Sequence, residues 1–489
     1  MIRTSKRKYR AALSALMGIL LFTSCSDFLE VDLKGRATIP SFLRDPSGLR
    51  AGLVGAYNAV YDYYDAEFTK YPDVAGNMCR MNATTGSMVD QYNFTSAADQ
   101  ETGAVGHIWV NIYAAQANVN NIIQYAPDVI ELDPPTASKS RRYLGEAYLL
   151  RAMCHFDQVR CYAQPYNYTA SHNHLGVPVL WKTPGADENV KRKSVREVYE
   201  AVLQDLGDAA GILTDDVAQD YHYASLQAVN CMYARVYLYM EEWQKALSYA
   251  KKAIGTQQLS QGSDYLKMFR DLNYQGEAIF RLSGIDMNGS LKSFYDAVSP
   301  SCMPADTLLT LFDAGDLRLQ LLRQGNASRC LKYDNDISLL ASYQARRDDP
   351  FVFRLSEMFL TAAEAACNLS DYTTARPYLR AIVERAVGAD KATAVMDATP
   401  DAQLLDLVRR ERVKELCFEG HNFFDLTRWK QDLVREKSTT SIVKRIDYPS
   451  DYFVLPIPQR ELDANLNMQP NPTVNQPRTS GTTEESSDE

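Results

Sequence analysis

Eight charged residues in this chain have the types and spacing that acid–base chemistry requires. They are arginines and carboxylates on two long helical patterns: Arg151, Arg160, Arg409, Arg410, Glu415, Glu419, Asp425 and Arg428. Neighbouring carboxylates can serve as general acid and general base. Apolar residues recur between these charges at the spacing of a buried helix face, which favours ion pairs between helices instead. We therefore expect these residues to define the fold and not to catalyse a reaction.

Other arrangements that support catalysis or metal binding are missing from the sequence or incomplete. The chain has no G-x-S-x-G, H-E-x-x-H, phosphate-binding loop or dinucleotide-binding glycine pattern. His172 and His174 form an H-x-H pair in a loop, with no obvious third ligand nearby. The acidic pairs at 215–216 and 348–349 lie in polar stretches and are expected to be solvated. The sequence predicts a protein that is not an enzyme, with no cofactor and no metal.

Residues suited to holding a neutral oligomer are concentrated in two irregular regions. Aromatic rings stack on the apolar faces of sugar rings, while amide, carboxylate and guanidinium groups bind hydroxyls. One region is 71–94 and the other follows a helical repeat, at 274–333. The predicted ligand-binding residues are Asp73, Asn77, Arg80, Tyr92, Phe94, Tyr274, Phe294, Tyr295 and Tyr333. No tryptophan lies in these loops, so a peptide ligand remains an alternative to a glycan.

The N-terminus combines a targeting pattern with a single cysteine. Five basic residues and no acidic one precede the apolar run 11–22, followed by Thr23, Ser24 and Cys25. This is the pattern of a signal peptide, and the apolar run is shorter than the ~20 residues of a membrane-spanning helix. A cysteine directly after the small residues indicates cleavage before Cys25 and acylation of its thiol and amine. Two or three acyl chains would anchor the protein stably.

Charge and cysteine content restrict the partners further. Loss of residues 1–24 removes five positive charges and changes the net charge from −9 to −14. A strongly acidic protein is a poor partner for nucleic acid. The other eight cysteines show no C-x-x-C pair, and we expect buried free thiols: Cys79, Cys154, Cys161, Cys231, Cys302, Cys330, Cys367 and Cys417.

The elements that position these residues are mainly helices. Asp45 with Pro46, and Ser194 with Glu197, are typical helix start signals. Segments 230–254 and 359–386 each place two small residues 12 apart across a polar turn, the spacing of tetratricopeptide repeats. Two further helical pairs are expected at 104–128 with 138–163 and at 194–213 with 222–240. Runs 176–181 and 452–457 resemble strands, and 473–489 is expected to be a disordered tail.

Four stretches resemble the SusD/RagB family of Bacteroidetes outer-membrane lipoproteins. They are "CSDFLEV" at 25–31, "GEAYLLRAMCHFDQVRCYAQPY" at 145–166, "LVRRERVKELCFEGHNFFDLTRWK" at 407–430 and "PIPQRELDANLNMQPNP" at 456–472. The resemblance implies an all-α fold, with tetratricopeptide-like repeats, loop-rich insertions, a C-terminal cap and few short strands. It implies one domain over residues 25–472, with its ligand site in the two irregular regions named above. Asp27, Glu30 and Asp32 are similar to the acidic export signal that places such lipoproteins on the cell exterior.

The resemblance also implies a function. Proteins of this family capture nutrients at the outer membrane and deliver them to a SusC-like TonB-dependent transporter. An oligosaccharide is the first ligand to expect, and a peptide is the alternative because the RagB branch takes peptides. A repeat scaffold that binds only proteins is a third possibility, which the lipoprotein signal disfavours.

The signal at Cys25 gives a direct test of anchoring. We expect Cys25→Ala to release the protein into the periplasm or to leave it unprocessed, because no thiol remains to be acylated. Membrane fractionation with palmitate labelling measures this. A variant that still labels and still fractionates with the outer membrane would contradict the prediction.

Overall fold

The residues predicted to start helices do cap helices in the structure. Asp45 caps the helix Pro46–Tyr63, and its carboxylate accepts hydrogen bonds from the Ser47 and Gly48 amides. Ser194 and Glu197 form a reciprocal capping box at the start of Val195–Ala210. These contacts satisfy amide groups that a helix leaves unpaired in its first turn.

The computed structural model describes residues 38–82, 86–100, 103–185, 187–214, 220–285, 287, 289–295, 300–334 and 347–471. The predicted signal peptide, Cys25 and the predicted tail at 473–489 lie outside the described residues. A first unit ends at Phe42, and its described part holds the short helix α1 (Ile39–Phe42). A second compact unit begins at Leu43 and contains all elements that follow.

Helices make up most of the second unit. In chain order they are α2 (Pro46–Tyr63), α3 (Thr69–Ala75), α4 (Val89–Tyr92), α5 (Ala104–Leu132), α6 (Ala137–Tyr162), α7 (Val195–Ala210), α8 (Leu226–Tyr239), α9 (Trp243–Ile254), α10 (Gly262–Arg270), α11 (Leu291–Tyr295), α12 (Asp306–Leu309), α13 (Leu355–Asn368), α14 (Tyr372–Val387), α15 (Ala389–Ala398), α16 (Asp401–Leu416), α17 (Asn422–Arg428) and α18 (Gln459–Ala464). A single π-helical turn, Tyr64–Phe68, joins α2 to α3. Short 3-10 helices cover Pro134–Thr136, Tyr166–Tyr168, Leu317–Leu321 and Asp451–Phe453.

The predicted repeats form a continuous helical frame. Helices α8 and α9 make one helix–turn–helix unit, α13 and α14 make another, and α9 packs directly on α13. The small residues that define the repeat spacing are all fully buried: Ala234, Ala246, Ala363 and Ala375. Helices α5, α6, α7 and α8 pack successively and extend this frame toward the N-terminus. The mainly helical fold expected from the sequence is confirmed.

Strands in the described residues are short and occur in antiparallel pairs. They are β1 (Cys79–Met81) with β3 (Cys302–Pro304), β2 (Ala278–Arg281) with β6 (Phe351–Arg354), β4 (Arg323–Gln324) with β5 (Ala327–Ser328), and β7 (Leu433–Val434) with β8 (Arg445–Ile446). The strand-like runs 176–181 and 452–457 are not ladder strands. They are apolar because Val177, Leu455 and Ile457 are buried, and the Leu455 amide donates to the Cys161 carbonyl at the end of α6 (2.9 Å).

Buried ion pairs connect the helices of this frame. Glu415 on α16 contacts Arg354 at the end of β6 (2.7 Å), Arg385 on α14 (2.7 Å) and Arg318 (3.4 Å). Glu277 also binds Arg385, at 2.6 Å. All five side chains are almost completely buried. Of the charged residues singled out in the sequence, Glu415 thus forms buried ion pairs between elements, as predicted, and its partners here were not predicted.

A second set of ion pairs attaches the C-terminal cap to the repeats. Arg428 on α17 donates two hydrogen bonds to Glu364 on α13, at 2.7 and 2.8 Å, and Trp429 donates a third to the same carboxylate. Asp425 bridges Arg412 and Arg428.

Three of the predicted residues depart from the expected pattern. Arg160 pairs with Asp157 of its own helix, and Arg409 lies over the Trp429 ring at 5.3 Å with no ion pair in the described residues. Arg410 is exposed because its position on α16 faces solvent.

All eight cysteines after Cys25 are free thiols with buried side chains, as predicted. Within the described residues, no helix combines the length and the apolar character that crossing a bilayer requires.

Close packing in the repeats predicts the effect of added volume. Ala246→Leu or Ala375→Leu should destabilise the protein by about 1–3 kcal/mol, because either change inserts methylene groups between touching helices. Thermal unfolding followed by circular dichroism measures the change. Ala402→Leu, at an exposed alanine of α16, is the matched control. Unchanged melting temperatures for both buried variants would contradict the repeat packing.

The Arg428–Glu364 pair predicts both a mutational and a pH effect. Glu364→Gln should cost about 3–5 kcal/mol of unfolding free energy, because it leaves the single carboxylate of Asp425 to balance two buried guanidinium groups, those of Arg412 and Arg428. Burial opposes ionisation of Glu364, but Arg428 outweighs it and lowers the pKa to about 2. The stabilisation is therefore complete above the ordinary value of 4.5 and is lost as the pH falls toward 2.

Denaturant unfolding at pH 7 and at pH 3 measures both effects. The variant should lose less stability than the wild type over this range. Asp401→Asn, which breaks the exposed Arg376–Asp401 pair, is the control and should cost no more than about 1 kcal/mol. Equal losses of unfolding free energy in Glu364→Gln and Asp401→Asn would show that the buried pair contributes no more than the exposed one.

Candidate ligand-binding site

A two-stranded ribbon brings together the two irregular regions predicted to bind ligand. Strand β1 from the first region pairs with β3 from the second, and Arg80 lies opposite Met303. The Asn82 amide side chain donates to the Pro300 carbonyl (3.0 Å), which extends the connection past the ribbon. The Ser301 amide bonds to the Phe294 carbonyl and links the ribbon to α11. Residues more than 200 positions apart in sequence therefore share one surface.

Most of the predicted ligand residues do not reach that surface. Five are buried: Asp73, Tyr92, Phe94, Phe294 and Tyr295. Four are half-buried: Asn77, Arg80, Tyr274 and Tyr333. A ring with about 1% of its surface exposed, such as Tyr92 or Tyr295, has no free face for a ligand in this structure. The buried members therefore do not lie in open loops in this structure, and ligand binding by these residues stays a prediction.

Asp73, Tyr295 and Tyr333 instead form a packed unit beneath the ribbon. The Tyr295 hydroxyl donates to Asp73 Oδ2 (3.0 Å), and the Tyr295 ring stacks on Tyr333 with centroids 5.2 Å apart. Burial raises the pKa of Asp73 to about 7, against the hydrogen bonds from Tyr295 and the Gly420 amide. The Tyr333 hydroxyl donates to the Phe418 carbonyl (2.7 Å). This unit fixes α11 against α3 and the C-terminal cap.

Tyr92 and Phe94 contribute to a different interior contact. The Arg435 guanidinium lies 4.4 Å from the Tyr92 ring centroid and 5.4 Å from that of Phe94. It donates to the carbonyls of Val74, Ala75 and Gly76 at the C-terminal end of α3. Burial lowers the pKa of Arg435 to about 10. Sequence reasoning missed Arg435 because one arginine in a polar segment carries no pattern.

Asn77 and Tyr274 lie apart from this unit. Asn77 donates its side-chain amide to the Val434 carbonyl (3.2 Å), near the β7–β8 hairpin. Tyr274 packs on a separate small apolar cluster with Met268, and Lys267 lies over its ring at 4.3 Å. The structure therefore joins Asp73, Arg80, Phe294, Tyr295 and Tyr333 and leaves the other four outside this group.

Arg80 is the member of that group best placed to meet a ligand. Within the described residues, its only hydrogen bond is from Nη2 to the thioether sulphur of Met303 (3.3 Å), a weak acceptor. Asn82 beside it is exposed. The Arg80 and Asn82 side chains therefore offer N–H donors, next to the apolar surface of Met303.

Buried carboxyl groups hold the segment that leads into α11. Asp65 Oδ2 accepts from the Ser290 amide (2.6 Å), Asp348 Oδ2 from the Lys292 amide (2.7 Å), and Asp349 Oδ1 from the Gly284 amide (2.8 Å). Burial raises the pKa of Asp65 to about 8 and that of Asp348 to about 7.

The prediction that the pair 348–349 is solvated is wrong, because both carboxylates are needed by main-chain amides inside the protein. Asp348 and Asp349 therefore have a structural role, because each holds a main-chain amide in place. The other acidic pair, at 215–216, lies outside the described residues.

No group of three or more metal-binding side chains occurs in the described part of the chain. His172 and His174 point to internal partners, since Nδ1 of His172 lies 2.9 Å from the Tyr166 carbonyl and Nε2 of His174 lies 3.1 Å from that of Gln164.

Two family models match separate parts of the chain. Residues 340–473 match the model of the SusD family, and residues 27–238 match the model described as starch-binding associating with outer membrane. Together the two matches cover more than half of the chain. They contain the stretches at 145–166 and 407–430 that carry the resemblance noted in the sequence.

Relatives match over nearly their whole length. SusD-like protein P38 of Formosa agariphila is 24% identical over 84% of this chain and 90% of its own length. SusD-like protein P2 of the same organism is 24% identical over 95% of this chain and 99% of its own.

Solved structures show the same fold. A SusD superfamily protein of Bacteroides thetaiotaomicron has a TM-score of 0.78 at 23% identity, over 88% of this chain and 100% of that one. A SusD-like carbohydrate binding protein of Bacteroides vulgatus has a TM-score of 0.72 at 20% identity, over 90% and 100%. A laminarin binding SusD-like protein has a TM-score of 0.67 at 20% identity, over 88% and 100%. From the matched motifs, the repeat frame and these relatives, we conclude that the chain belongs to the SusD/RagB family.

Proposed function

We propose that this protein captures oligosaccharides at the cell surface, as a lipoprotein anchored through Cys25 in the outer membrane. The observation that carries the proposal is the half-buried Arg80 guanidinium on the β1–β3 ribbon, whose partner in the described structure is a thioether. A guanidinium held in place without a carboxylate keeps its N–H groups for sugar hydroxyls. The family descriptions, starch-binding for one model and laminarin binding for one relative, support a glycan as the ligand.

The rigid support behind Arg80 is consistent with a binding role. The ribbon is fixed from below by the Asp73–Tyr295 hydrogen bond and the Tyr295–Tyr333 stack. A surface that does not have to order itself loses less entropy when it binds a ligand. Asn82 and Met303 add an amide and an apolar contact beside the guanidinium. Capture without cleavage is part of the proposal, and the family membership supports it.

Delivery of the ligand to a SusC-like TonB-dependent transporter is the second part of the proposal. A tethered binding protein raises the local concentration of its ligand near any partner in the same membrane. The family membership supports such a partner. The transporter should copurify with the wild-type lipoprotein from solubilised outer membranes.

Arg80→Ala tests the site. It should weaken binding about tenfold or more, because a hydrogen bond to a charged group contributes about 1.5–3 kcal/mol. Isothermal titration with laminarin-derived and starch-derived oligosaccharides measures the dissociation constant. Arg410→Ala, which removes an exposed arginine of α16, is the matched control and should bind as the wild type does.

Salt dependence distinguishes the ligand classes. Binding of a neutral glycan should change little between low and high salt, because no ligand charge is screened. A peptide held by charged groups would bind more weakly as salt rises. Wild-type affinity in Arg80→Ala would refute this site, and cleavage of the bound ligand would refute a purely binding function.

A further inference from the structure

An open cleft lies at one end of the repeat frame, on elements other than the β1–β3 ribbon. It forms where the end of α9, the start of α8 and the N-terminal part of α6 meet the segment before β2, and it encloses about 850 Å³ including its open mouth. We call it the repeat cleft. Residues used in the argument below are Arg142, Tyr223, Lys252, Thr256, Gln257 and Gln275.

An exposed aromatic ring is held rigidly in this cleft. Tyr223 keeps 41% of its surface exposed and packs edge-to-face with the buried Tyr57, with centroids 5.6 Å apart. The Tyr57 hydroxyl accepts from the Ala224 amide (2.9 Å) and donates to Glu146 Oε2 (2.5 Å). Tyr223 is therefore fixed through its neighbour in sequence and through its ring, although much of the ring faces solvent.

The buried Glu146 carboxylate also orients the Arg142 guanidinium, at the other side of Tyr57. Arg142 Nε donates to Glu146 Oε1 (2.8 Å). No hydrogen bond within the described residues engages the Nη groups of Arg142 or the hydroxyls of Tyr223 and Thr256. A single buried network thus positions a stacking ring and several donors, while the donors remain open to the cleft.

The charges at the cleft are balanced. Arg142 is paired with Glu146, and the carboxylate of Asp220 accepts from the His222 amide and lies 2.9 Å from His222 Nδ1. Lys252 lies over the Tyr249 ring at 4.5 Å. The lining is otherwise rich in amides and hydroxyls, and Gln275 uses its amide N–H toward the Ala278 carbonyl (3.3 Å). Hydroxyl-rich neutral ligands match such a lining better than ions do.

We propose that the repeat cleft is a second carbohydrate-binding site, which takes a neutral polysaccharide segment stacked on Tyr223. The inference rests on the proposed function for its class of ligand. The location of the site does not depend on that function. A polysaccharide long enough to reach both sites would bind with avidity, because the second contact becomes intramolecular. Short oligosaccharides would not gain this advantage.

Affinity electrophoresis in native gels tests the proposal, with laminarin or amylopectin cast into the gel. Tyr223→Ala should weaken retention about fivefold, because it removes a stacked ring. Thr256→Ala combined with Gln257→Ala should also weaken retention; both side chains are exposed, and Gln257 accepts one hydrogen bond from Gln227 Nε2 (2.8 Å). Tyr168→Ala, at another exposed tyrosine, is the matched control and should migrate as the wild type does.

Combination with Arg80→Ala separates this inference from the proposed function. We expect residual retention in Arg80→Ala and its loss when Tyr223→Ala is added. If Arg80→Ala weakens retention and neither cleft variant does, the cleft inference is overturned and the proposed function stands. If the cleft variants weaken retention and Arg80→Ala does not, the cleft inference stands and the proposed ribbon site is overturned. A wild type retained by neither polysaccharide would overturn the cleft inference.

Discussion

Buried charge at Glu415 is the constraint on which the rest of the structure depends. Its carboxylate is shared by arginines from a strand end, from the second repeat and from a 3-10 helix. Ion pairs of this kind add little net stability compared with an apolar core, but each partner becomes indispensable once the others are buried. The arrangement therefore specifies how the cap meets the repeats. A helix that rotated or slid would leave a guanidinium or a carboxylate unpaired inside the protein.

The β1–β3 ribbon is also held in place by buried polar groups that need partners. Aromatic rings and carboxyl groups of the irregular regions point inward and bind one another, as Asp73 and Tyr295 do, and Asp348 binds the Lys292 amide from outside these regions. These regions contain only short helices and strands, so many of their amides have no partner in a ladder or a helix. Buried carboxyl groups supply those partners. The surface of the ribbon can stay polar and open because the support lies beneath it.

The fold could be predicted from the sequence because its signals are local or repeated. Capping at Asp45 and Ser194, and small residues 12 apart at Ala234 and Ala246, act over one or two helical turns. The pairing of ion partners could not be read in the same way, since Arg354 and Glu415 belong to different elements. The sequence did not predict which individual aromatic rings are buried. An aromatic residue in a polar segment has the same sequence pattern whether it faces a ligand or the core, and Tyr92 and Tyr295 face the core. The repeat cleft escaped prediction because Arg142 and Tyr223 are joined only through Tyr57 and Glu146.

The free thiols have a consequence for how the molecule opens. In the described residues they are distributed over separate parts of the structure: Cys154 in α6, Cys231 in α8, Cys367 in α13, Cys302 in β3 and Cys417 after α16. Each is protected from reagents only while its own surroundings stay closed. No disulfide links any two of the described cysteines, so no covalent cross-link between them holds these parts together when the ion pairs and the core open. The reactivity of each thiol therefore reports the opening of its own surroundings. The order in which the cysteines react would record the order in which repeats, cap and ribbon come apart.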